Sequence, residues 1–177
     1  TGWTVRQMRL PGHGSAYRSL LQTRAPEWER AVLEELAVLQ VMHRPVLLVG
    51  YSLGASLSIP VAAERNPDGL VLLAPFWIDE RWWLKALLFL VRPFLPTAVN
   101  PFNAKSINLA QFHAAIEDIL PGFDLTAPRV QSAMREFRLP LIFLEQFRLV
   151  SRRVRRYARK IDIPVLVVQA VEDALVR

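Results

Sequence analysis

Apolar positions along the chain follow two rhythms. Val46-Leu47-Leu48-Val49, Leu70 to Leu73 and Val165 to Val168 are continuous apolar runs bounded by turn residues, the pattern of strands buried on both faces. Val5 to Met8 is a shorter β-type run that ends at Leu10-Pro11-Gly12-His13-Gly14, where a proline and two glycines predict a tight turn. Helical spacing alternates with these runs. From Pro26, suited to a first helical turn, Trp28, Val32, Leu36 and Leu39 recur on one stripe, and Glu27, Glu29, Arg30, Glu34 and Glu35 point elsewhere. Leu53 to Arg65 predicts a second helix, with Pro60 expected to kink it or end its regular part early. Strand, helix, strand, helix, strand predicts the α/β class: a parallel sheet with helices on both faces.

Residues 75–164 are too many for a plain connection, and they carry helical patterns of their own. The segments Glu80 to Val91, Leu109 to Leu120, Ala127 to Phe137 and Leu141 to Tyr157 read as helices, separated by Pro93, Pro96, Pro101, Pro121 and Pro128. The expected organisation is therefore a core over 1–75 with a serine-bearing turn, an inserted helical cap over 76–160, and a returning core strand over 161–177.

Composition changes this picture only at its edges. Hydrophobic residues make up 52% and charged ones 21%, a globular balance that excludes disorder and low complexity. Cysteine is absent, which excludes disulfides and thiolate metal sites, and His13, His43 and His113 lack ligand spacing, so no metal and no cofactor is expected. The net charge of +6 gathers in Arg148, Arg152, Arg153, Arg155, Arg156, Arg159 and Lys160. A solvated helix face with its alkyl stems along the core edge is the plain reading, and a weak contact with an anionic membrane surface is the alternative. Nucleic acid is not expected, because no aromatic interleaving accompanies the charge. The apolar stretch from Trp82 to Leu95 is interrupted by Lys85, Arg92 and Pro93 and is too short to span a bilayer. No signal peptide is visible; a cytoplasmic location is slightly favoured, although the chain opens at Thr1 in mid-pattern and does not decide export.

The candidate chemistry lies in Gly50-Tyr51-Ser52-Leu53-Gly54. An apolar strand runs directly into this string and an apolar helix runs directly out. Serine on such a turn stands above the sheet, over the positive end of the following helix, with the Leu53 amide free to bind an oxyanion. Glycines two before and two after the serine are expected to remove collisions with the flanking helix and strand, and Ala55 keeps the next position small. The alternative is a serine that merely caps the helix.

With Leu10-Pro11-Gly12-His13-Gly14 before it and Pro164 to Val176 after it, this string gives the chain a resemblance to α/β-hydrolases from Thr1 to Arg177. Trp28, the run Leu70 to Pro75 and a moderate helical cap make it look most like bacterial monoacylglycerol lipases and related carboxylesterases. The resemblance implies Ser52 as nucleophile, the Leu53 amide as an oxyanion donor and Asp173 as triad acid, with Glu172 and Asp79 as alternatives. It implies a structural role for His13 and an exposed His43 on the edge away from the serine; His113 is an irregular candidate base. The family order of Ser, acid, His leaves the base expected beyond Arg177 and an earlier oxyanion loop expected before Thr1, so the chain reads as an incomplete copy of the domain, inactive by itself. Tyr51, Trp77, Trp83 and Leu87 are the expected contacts to a small-molecule ester or lipid substrate; the other reading of the cap aromatics is that they form its own core. Hydrolysis of C–C, thioester or amide bonds, or a non-catalytic protein on the same fold, are the rivals.

Overall fold

The computed structural model of the protein describes residues 2–13, 19–77, 97–100, 124 and 126–170. The chain divides into two compact units, Thr1–Val91 with Phe143–Arg177, and Arg92–Ile142.

In the first unit, α1 (Ala25–Met42) begins with proline in its first turn. Its opening donors are satisfied locally and from afar. The Glu27 carboxylate accepts the Arg24 amide at 2.8 Å, and the Ala25 amide donates to Oε1 of Gln146 at 3.0 Å in a buried bond, which fills one of the vacancies every helix start leaves. Trp28, Val32 and Leu36 are buried as their spacing predicts. Glu29 departs from its expected outward position: it is buried and paired with Arg153. A carboxylate beside the apolar stripe is tolerated because a cation from another helix meets it there.

Strands β1 (Leu47–Tyr51), β2 (Gly69–Leu73) and β5 (Val165–Val168) form a parallel sheet in the order β1-β2-β5. Leu48 pairs with Leu70, and Leu70 with Val165. Helix α2 (Leu53–Arg65) follows β1 directly. Val32 and Leu36 of α1, Val46, and Val61 of α2 form the core cluster, with Met8, Leu10, Leu33, Leu39 and Leu48 packed against it. Leu48 and Gly50 therefore face the helices. On the opposite face Leu47, Val49 and Tyr51 are exposed, and in β5 all four residues are exposed, on both faces. This corrects the expectation that β1 and β5 are buried on both sides. Among the described residues only β2 has a strand on each flank, and its Gly69, Leu70 and Leu72 are buried.

Two further expectations are corrected. Residues 5–8 form no strand: Val5 is exposed, Arg6 reaches Glu35 at 2.7 Å, and Met8 packs on the core, with no ladder partner among the described residues. Helix α2 does not end early at Pro60 but continues to Arg65, and the proline is fully buried. Its end is fixed by Asn66 in left-handed conformation and by Gln40, whose Nε2 donates to the Arg65 carbonyl at 2.9 Å. Asp68 then ties the start of β1, its Oδ2 accepting the Val46 amide at 2.8 Å.

The second unit holds β3 (Ala98–Val99) paired antiparallel with β4 (Leu139–Pro140), and α3 (Pro128–Glu136) between them. Nδ2 of Asn100 donates to the Met134 and Arg135 carbonyls at 2.9 and 2.8 Å, supplying partners for the last turn of α3. The expected helices over 80–91 and 109–120 lie outside the described residues.

Helix α4 (Leu141–Tyr157) was expected in the cap, yet from Phe143 onward it belongs to the unit that holds the sheet. Its Phe143, Gln146, Val150, Ser151 and Val154 are buried. Trp28 is the anchor: its ring meets Phe143 edge-on at 6.3 Å and Phe147 at 6.2 Å, and Phe147 meets Phe76 at 5.6 Å. Arg153 reaches back to Glu29 and lies 5.1 Å from the Tyr157 ring centre. Burial works to lower the Arg153 pKa, but the hydrogen bond and charge of Glu29, with Tyr157, outweigh it and the pKa is raised. Arg152, Arg155, Arg156, Arg159 and Lys160 are exposed. No helix among the described residues is long and apolar enough to cross a membrane.

Because Trp28 is completely buried and joins α1 to α4, Trp28→Ala is expected to lower unfolding stability by about 3–5 kcal/mol, read from the midpoint of urea denaturation.

Candidate active site

The turn between β1 and α2 is made by one residue. Ser52 has φ 51° and ψ −116°, a conformation that costs a non-glycine residue about 1–3 kcal/mol and persists only where its surroundings over-determine it. Those surroundings are visible. The Ser52 amide donates to the Leu73 carbonyl at 2.9 Å, and the Ser52 carbonyl accepts the Ser56 amide at 3.1 Å. The strained residue is thus held from β2 on one side and from α2 on the other. Its hydroxyl makes no capping hydrogen bond to the helix, so the capping role considered above is not realised. Ser52 is half-buried, and Leu53, the first helical residue, carries one of the amides that no intrahelical carbonyl can reach.

The two glycines of the motif are not equivalent. A Cβ on Gly50 would lie 2.5 Å from the Ala55 Cα and 2.6 Å from its nitrogen, whereas a Cβ on Gly54 would meet nothing within 4 Å among the described residues. The expected collision at Gly54 is therefore corrected. The strand passes under the helix at Gly50 and Ala55, and Ala55 is completely buried, while position 54 opens away from that contact.

Beside the turn, Ala74 also has a positive φ, 45°, and its amide donates to the Val168 carbonyl at 2.8 Å. The chain then passes Phe76, whose backbone is bonded to the buried Ser56 hydroxyl. Tyr51 and Trp77, both expected to contact substrate, are exposed at 73% and 44%. His13 is engaged elsewhere: its Nδ1 lies 3.1 Å from the Pro11 carbonyl, which also accepts Nε1 of Trp28 at 3.0 Å, and its ring meets Trp28 edge-on. That arrangement fits the structural role expected of it. His43 ends α1 and is exposed, at the far end of β1 from Ser52. Asp173, Glu172, Asp79, Trp83, Leu87 and His113 lie outside the described residues. Among the described residues no group of three or more His, Cys, Asp or Glu could hold a metal ion.

The sequence model of the alpha/beta hydrolase family matches residues 2–177. The chain belongs to the alpha/beta hydrolase family. Among solved structures it is similar to one reported in a description of LipS and LipT, two metagenome-derived lipolytic enzymes, with a TM-score of 0.62 and 18% identity. That alignment covers 96% of this chain and 61% of the other. Comparison with curated proteins gives no match. The likeness to the solved structure is one of fold.

Within this alpha/beta hydrolase unit the residues that sequence reasoning missed are Ser56, Ala74 and Gln146. Each acts through a bond to a residue distant in the chain, so no local pattern marks it. The contrast between the glycines gives opposite signs: Gly50→Ala is expected to cost about 2 kcal/mol or more through overpacking, and Gly54→Ala to stabilise by about 0.5 kcal/mol through reduced unfolded-chain freedom. Urea midpoints of the two variants check this.

Proposed function

We propose that Ser52 is the nucleophile of a carboxylic ester hydrolase. The observation that carries this reading is a strained serine at a strand-to-helix turn, bonded through its backbone but leaving its hydroxyl uncommitted to the helix. The Oγ attacks the ester carbonyl carbon, its proton passing to an imidazole base. The tetrahedral oxyanion is stabilised by the Leu53 amide, and collapse breaks the bond to the leaving alcohol, which takes the proton. Water, deprotonated by the same base, then attacks the acyl-serine and releases the acid. Asp173 holds the imidazole in its working tautomer. Family membership and the lipolytic description of the structural neighbour support ester cleavage. The substrate class is a fatty-acyl ester such as a monoacylglycerol, with Tyr51, Trp77, Trp83 and Leu87 as its apolar contacts.

In protein made from the complete reading frame, a fluorophosphonate probe is expected to label Ser52 and to leave Ser52→Ala unlabelled; persistent labelling of that variant overturns the assignment. Across esters of increasing acyl length, kcat/KM is expected to climb by up to about fourfold per methylene, the equivalent of roughly 0.8 kcal/mol of burial, and then level off. A fall beyond a four-carbon acyl group makes the enzyme a short-chain esterase. Labelling without hydrolysis of any ester moves C–C, thioester or amide substrates ahead.

A further inference from the structure

We infer that Ser56 is a positioning residue for the nucleophile, clamping the strained turn at Ser52 to the backbone of Phe76. The inference rests on the reading of Ser52 as nucleophile and adds to it a residue that sets its geometry.

Ser56 lies in the first turn of α2 and is completely buried. Its hydroxyl stands at a junction of three backbone groups. It donates to the Phe76 carbonyl, it accepts the Phe76 amide at 3.0 Å, and it lies 3.3 Å from the Ser52 carbonyl. A hydroxyl has one donor and two acceptor sites, so the Phe76 bonds use its proton and one lone pair. Ser56 also holds Ser52 through its own amide. One residue therefore grips the nucleophile's carbonyl on one side and the chain leaving β2 on the other.

Besides Ser56, the Phe76 segment is held among the described residues by the Ala74 amide, which donates to the Val168 carbonyl, and by the Phe76 ring against Phe147. It leaves β2 through Ala74, whose positive φ is strained, and its own amide and carbonyl would both be left without this partner unless water replaced it. Removing the hydroxyl frees the segment that flanks the turn and loosens one support of the Ser52 conformation. A displacement of the nucleophile by even 1 Å is enough to slow its chemistry greatly.

The same helix supplies a matched control. Ser58 is also buried, at 2%, and its Oγ donates to the carbonyl four residues back, Gly54, at 2.8 Å. It resembles Ser56 in helix position and burial but makes no hydrogen bond to the Phe76 segment among the described residues. A purely structural role would give the two serines similar effects.

The experiment compares Ser56→Ala with Ser58→Ala in protein from the complete reading frame. The readouts are the second-order rate of fluorophosphonate labelling at Ser52, amide hydrogen exchange at Phe76, and thermal stability. Ser56→Ala is expected to slow labelling about tenfold or more and to raise Phe76 exchange at least about fivefold. Ser58→Ala is expected to stay within about twofold of the parent on both, at a comparable loss of stability. Ser56→Cys keeps the side-chain shape, slightly enlarged, with a weaker donor, so it serves if the alanine variant does not fold, and its labelling is expected to be slowed in the same direction. Unchanged Phe76 exchange in the Ser56 variants overturns the clamp. Labelling unchanged within twofold, with stability lost, overturns the positioning role and leaves Ser56 structural. Failure of the parent to label at Ser52 counts against the nucleophile assignment instead, while the exchange measurement still tests the clamp.

Discussion

The approach of Gly50 to Ala55 governs how this molecule is built around its serine. A strand can turn into a helix within one residue only if the two backbones pass nearly in contact, and at Gly50 the helix nitrogen and Cα occupy the space a side chain would need. That contact places the burden of reversal on Ser52, which takes up a strained conformation with positive φ. The reversal is stable because the residue's amide and carbonyl are both bonded, to Leu73 and Ser56. Strain at the turn is thus balanced by a hydrogen-bond frame that spans β1, β2 and α2, and the hydroxyl makes no capping bond to the helix.

A second assembly secures that frame from behind. Trp28 joins the Pro11 carbonyl, the His13 ring and the aromatic rings of α4, and Phe147 passes the contact on to Phe76 beside the clamp at Ser56. Polar bonds accompany the rings: Gln146 completes the start of α1, and Arg153 neutralises the buried Glu29. Aromatic packing supplies much of the docking energy because such rings bury large areas. The polar pairs add register, since a buried carboxylate or an unfilled helix amide would be costly in any other alignment.

The outer side of α4 shows why charge counts need a structure beside them. Its run of arginines looks uniform along the chain, but Arg153 turns inward to a specific carboxylate while Arg152, Arg155 and Arg156 stay at the surface. Helical geometry separates Arg153 from its neighbour Arg152, because residues one apart stand about 100° from each other around the axis, whereas Arg156, three residues on, shares its side and lies 5.8 Å from the Tyr157 ring centre.

Local pattern carried the reading a long way. Continuous apolar runs marked β1, β2 and β5, helical spacing marked α1, α2 and α4, and the string from Gly50 to Gly54 marked the turn, since each depends on residues adjacent in sequence. Tertiary structure decided the rest. Whether a four-residue apolar run is buried or half-exposed depends on its place in the sheet, which β1 and β5 could not announce. Val5 to Met8 had a strand's composition but no ladder partner among the described residues, and the helix of Pro60 runs on to Arg65 with the proline buried. Glu29, Gln146 and Ser56 found their partners across long stretches of chain. Sequence by itself determined the elements and the serine-bearing turn, because these follow from short-range sterics and periodicity; only the fold decided which polar groups meet, because hydrogen bonds and ion pairs depend on distances that chain order does not encode.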